Sequence, residues 1–182
     1  MYLRYCALIM TGLVVSLTSA AQQETLLLRS PSVRQDKIAF AYAGDIWVAG
    51  KDGSNPRRIT VNPDVEAEPM LSPDGKWIAF SGNYDGNNDV YVVSANGGIP
   101  RRITFHPYGD VVRGWHGNDK ILFSSARESY SPRYHKLFEA DINGGLPQAL
   151  KMPEAHQGNI SPDGKYTAYI KNPDPTDRAG LY

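Results

Sequence analysis

The chain has one cysteine, Cys6, lying just ahead of or within its first apolar stretch. No disulfide can form inside one molecule, so any core must be held by packing alone. An excess of charge of one sign is also missing: 19 Lys and Arg offset 19 Asp and Glu. A net charge of zero leaves no electrostatic footprint for nucleic acid or an anionic membrane. The histidines His106, His116, His135 and His156 are scattered, with no pair at metal-ligand spacing. No Gly-x-Ser-x-Gly elbow occurs, and the serines sit mainly at turns and loop starts. Nothing here points to a catalytic residue, a metal ligand or a cofactor.

Long hydrophobic runs are confined to the N-terminus. Arg4 supplies a positive start, Tyr5 to Leu17 is apolar, and Ser19-Ala20-Ala21 offers small residues for cleavage before Gln22. This is the pattern of a secretory signal peptide over residues 1–21. The run is short for a membrane span, which wants about 20 apolar residues. An uncleaved anchor is the alternative. A lipoprotein is disfavoured, because Cys6 precedes the apolar run instead of ending it. The expected address is periplasmic or extracellular, with no membrane contact after cleavage.

The rest of the chain is built from repeats. Arg57-Arg58-Ile59-Thr60 returns as Arg101-Arg102-Ile103-Thr104, and Ser72-Pro73-Asp74-Gly75-Lys76 as Ser161-Pro162-Asp163-Gly164-Lys165. The aromatics Phe40, Phe80, Phe123 and Tyr169 end equivalent apolar segments at a spacing of roughly 40 to 46 residues, the range of four-stranded propeller blades. The fullest unit reads as a strand over Glu68–Leu71, a Pro-Asp-Gly turn, a strand over Lys76–Ser81, a polar loop, and a strand over Asp89–Val93. A hairpin at Asn96-Gly97-Gly98 and a last strand over Pro100–Thr104 complete it. The spacing predicts an all-β fold of propeller blades over 22–182, with units at about 28–64, 65–108, 109–154 and 155–182.

About three and a half blades are present, since Leu181-Tyr182 aligns with Ile46-Trp47 and Val90-Tyr91 inside a third strand. A propeller ring typically needs about 4 to 8 blades to cover every face. The expectation is an N-terminal piece of a longer protein, with a four-bladed ring completed by another chain as the alternative.

Two stretches carry a more specific likeness. Phe80 through Val92, with Gly98-Ile99-Pro100-Arg101-Arg102-Ile103-Thr104, His106-Pro107 and Asp110-Val111-Val112-Arg113-Gly114-Trp115, resembles the bacterial tricorn proteases. Gly44-Asp45-Ile46-Trp47-Val48 suits the first blade of that family. The resemblance implies the first, six-bladed propeller of a serine peptidase whose core is like the C-terminal processing peptidases. The catalytic residues would lie beyond Tyr182. It further implies peptides or proteins as partners, contact with downstream domains of the same chain, and a filtering or channelling role. A homo-oligomer is compatible with it.

Within the chain, the insertion from Arg127 to Lys136 is the local candidate for peptide contact, through Arg127, Arg133 and His135. A guanidinium there could hold a carboxylate by a bidentate pair, against the plainer reading of a solvated loop. Asp85-x-Asn87-x-Asp89 mimics half a calcium loop but lacks its glycine and final Glu, so a polar turn is expected. Asp45 and Asp89, heading equivalent strands, are expected to bond backbone groups within their blades. Trp47, Trp77, Phe80 and Tyr91 read as packing between blades.

Three rivals remain from other classes. One is the non-enzymatic propeller of the Tol-Pal translocation protein, which carries an α/β domain ahead of its blades. The others are the propeller of a prolyl-oligopeptidase-type hydrolase and an amidohydrolase with similar repeats.

Overall fold

In a computed structural model, which describes residues 27–171, the chain folds into successive antiparallel sheets. The first contains β1 (Arg29–Arg34), β2 (Lys37–Tyr42), β3 (Asp45–Gly50) and β4 (Arg57–Arg58). The second contains β5 (Glu66–Leu71), β6 (Trp77–Gly82), β7 (Asp89–Ser94) and β8 (Arg101–Arg102). The third contains β9 (Asp110–His116), β10 (Lys120–Ser125), β11 (Lys136–Asp141) and β12 (Gln148–Ala149), and β13 (Ala155–Ile160) pairs with β14 (Thr167–Lys171). Strand order follows chain order in each sheet. The first strands β1, β5, β9 and β13 touch one another in series, so they form the inner wall about which the blades turn. Each last strand has two residues, leaving little exposed edge to recruit another chain.

The turns explain why the repeated phrase is kept. Ser72 Oγ donates to Asp74 Oδ1 at 2.6 Å, accepts from Trp77 N–H at 3.0 Å, and its carbonyl accepts from Gly75 N–H. Gly75 takes φ +67°, a conformation glycine enters at no steric cost. Ser161, Asp163, Gly164 and Tyr166 reproduce the same bonds.

Blades stack large against small. Ile78, Phe80, Tyr91 and Val93 of the second blade pack on Ala39, Ala41, Ile46 and Val48 of the first. Ile121, Phe123, Phe138 and Ala140 of the third pack likewise on Ala79, Val90 and Val92. The alternation along each strand sends aromatics to one face and small or β-branched residues to the other. Burying each such aromatic contributes roughly 1.5–3 kcal/mol. Phe80 and Tyr91 thus lie between blades, and Trp77 borders the second core. Trp47 instead sits on the outer face of the first blade, edge-on to Tyr42, beside a groove of about 650 Å³ with Ile38 and Phe40.

The second blade's inner strand begins at Glu66, two residues before the expected start, because Glu66 N–H donates to Gly44 O of the preceding blade at 2.8 Å. The bond recurs from Asp110 to Asn88 and from Ala155 to His135. β8 is narrower than Pro100–Thr104, since Thr104 serves as a side-chain cap: its Oγ1 accepts from Val90 N–H at 2.9 Å.

Candidate functional site

The inner wall is not a set of plain strands. Register slips between Arg29 and Ser32, between Ala67 and Met70, opposite Leu122 and Phe123, and between Ala155 and Gln157. Each slip is a β-bulge, which bends the strand and re-aims a side chain. Ser30 and Glu68 enter the left-handed region there, at φ +49° and +52°, each followed by a proline that has no N–H to lose. In β9 the extra residue is Arg113, between Val112, paired with Phe123, and Gly114, paired with Leu122.

Arg113 lines a pocket of about 440 Å³ with Glu68, Met70, Gln157, Asn159 and Tyr169. Its Nε donates to Ser124 Oγ at 3.0 Å. Burial lowers its pKa from the usual range, with the charge of Glu68 opposing. His135 stands nearby, its pKa lowered first by burial and then by the charges of Arg113 and His156. The wall therefore brings together a guanidinium, two imidazoles and a carboxylate, drawn from three blades.

Of the loop residues expected to contact peptide, only His135 belongs to this group. Arg133 is exposed. Arg127 is buried at 9% exposure, ion-paired with the fully buried Asp110, and its guanidinium lies 5.2 Å from the Phe123 ring and 5.4 Å from that of Phe138. It is a latch inside the blade, because two aromatic faces and a buried carboxylate offer it more than water does. Arg113 was missed by sequence reasoning. Its signal was a lone charge inside the apolar run Val111-Val112-Arg113-Gly114-Trp115.

The repeated aspartates also do something other than expected. Asp45 accepts from Arg58 Nη2 at 2.8 Å and Asp89 from Arg102 Nη2 at 2.5 Å. Each arginine Nε further donates to the carbonyl of Thr60 or Thr104, at 3.0 and 2.9 Å. The second arginine of Arg-Arg-Ile-Thr is thus a lock between the third and fourth strands. Arg102 Nη1 also reaches Asp85 Oδ2 at 2.6 Å, which ties the Asp85–Asp89 loop to the blade. Between the first two blades, Thr60 and Tyr84 hydroxyls donate to Glu66, whose pKa burial raises.

A family described as the tricorn protease N-terminal beta propeller domain matches residues 25–182. The chain belongs to that family. The tricorn-like protease N-terminal subunit of Sulfurisphaera tokodaii is 29% identical over 138 residues, 74% of this chain and 69% of that protein. Tricorn protease homolog 1 of Streptomyces coelicolor is 28% identical over 149 residues, 80% of this chain but 14% of its own length. Among solved structures, a TolB-type protein from Agrobacterium tumefaciens superposes with a TM-score of 0.66 at 26% identity, over 82% of this chain and 61% of that one. This tricorn N-terminal propeller thus spans a small part of a full-length homologue and most of a separate N-terminal subunit.

Proposed function

We propose that this propeller admits or filters peptides for an exported tricorn-type serine peptidase, whose catalytic domain lies outside the chain and whose ring is closed by further blades to six. The family match over residues 25–182 is the observation that carries this reading. The signal-like segment at residues 1–21, outside the described residues, supports export. The charged, bulged inner wall supports contact with an extended polar ligand, since side chains there face a channel rather than a neighbouring blade.

The test is made on the full-length protein from its source. Periplasmic fractionation with hydrolysis of fluorogenic peptides, blocked by a serine-directed fluorophosphonate, is the expected outcome. Absence of both hydrolysis and labelling would remove the peptidase reading. A second reading, a protein-binding propeller of the Tol-Pal type, is favoured by the TolB-type superposition. It would show as stable capture of an envelope protein with no hydrolysis.

A further inference from the structure

We propose that Arg113, flanked by His135 and His156, forms an oxyanion-binding subsite on the inner wall of the third blade, taking a carboxylate- or phosphate-bearing ligand. The subsite rests on the geometry of the wall and does not depend on the peptidase reading.

Arg113 departs from the repeat. Its equivalents are Pro69 in the second blade and Gly158 in the fourth, so no structural lock requires an arginine there. The bulge turns it toward the pocket, and the Nε bond to Ser124 fixes one edge of the guanidinium. Among the described residues, no hydrogen-bond acceptor engages Nη1 or Nη2 and no carboxylate lies within salt-bridge distance of Arg113. The other arginines on the channel side differ: Arg58, Arg102 and Arg127 are each paired with an aspartate.

A half-buried guanidinium with its outer nitrogens unengaged is a fork suited to two oxygens of one anion. His135 and His156 add positive potential when protonated and N–H donors when neutral. Gly158 leaves room beside Arg113, since a Cβ there would fall 2.4 Å from Leu137 Cδ1 and 3.1 Å from Ala168 O. Glu68, on the far side of the pocket, repels a second negative charge and would accept from an N–H or cationic group of the same ligand.

The test follows the arginine Nε–Hε NMR signals of the full chain as inorganic phosphate, then acetate, is added at constant ionic strength. A saturable shift of the Arg113 signal, not reproduced by chloride, is expected. Arg113→Gln should weaken phosphate binding, followed by calorimetry, at least tenfold. Arg113→Lys should recover part of it, and Ser124→Ala, which keeps the charge but frees the fork, should weaken it several-fold. A capped peptide with one Glu side chain that displaces phosphate at lower concentration than phosphate itself requires would identify carboxylate as the source; the reverse order would identify phosphate. A non-saturating shift, one equalled by chloride, or full affinity in Arg113→Gln would overturn the subsite. The wild-type titration needs no variant to fold and no peptidase activity, so its failure is separate from failure of the proposed function.

Discussion

The second and third blades share a fold but are held by different charges. In the second, Asp89 on β7 locks to Arg102 on β8 and to Thr104. In the third, the equivalent positions are Lys136, Ala149 and Lys151, and that lock is gone. Its place is taken on the opposite side of the sheet, where Arg127 from the long loop reaches Asp110 on the inner strand. The blade that surrenders the repeated lock is the one with the longest loop and with Arg113 on its inner strand. Where residues repeat, they serve the sheet; where the repeat breaks, side chains are released toward the channel.

The comparison can be broken most sharply at Arg127. Arg127→Ala leaves Asp110 as an uncompensated buried charge, whose Oδ1 already lacks a hydrogen-bond partner among the described residues. The expected loss is about 3–5 kcal/mol in urea unfolding; a loss under about 1 kcal/mol, the range of an exposed pair, would show that the latch is decorative. Asp89→Ala should cost about 3 kcal/mol by the same argument. Asp45→Ala should cost no more than about 1 kcal/mol, because Arg58 is 42% exposed against 24% for Arg102. Equal costs would mean that burial does not grade the two locks.

Thr104→Val removes the cap on Val90 N–H with little change of shape, and about 1–2 kcal/mol should go with it in the same assay. The smallest effect is one of slope. Burial raises the pKa of Glu66, so the folded chain holds that proton more tightly than the unfolded chain does. Its stabilising contribution is full below the unfolded value and is lost as pH rises through the raised folded value. Glu66→Gln should therefore gain stability relative to the parent chain between about pH 4 and 7. A pH-independent difference would contradict this.

Much of the architecture was legible because its causes are local. The strand period, the Pro-Asp-Gly turns and the aromatic spacing act over a few residues, and the turn bonds of Ser72 and Ser161 show how. Legibility failed at the bulges. Glu68 takes a positive φ without being glycine, held there by its pairing partners rather than its own preference. It failed again at Arg127, placed in a solvated loop by its polar neighbours. Asp110 lies 17 residues away, and the two phenylalanine faces meet the guanidinium only once the sheet has formed.

By itself, the sequence determined the blades, their period, the family and the absence of a catalytic constellation in this segment, all carried by short-range patterns that survive without a fold. Only the tertiary structure decided which charges lock and which face the channel. That outcome depends on burial and on partners brought together across strands and blades, and a side chain's electrostatic role is set by those neighbours rather than by its place in the chain.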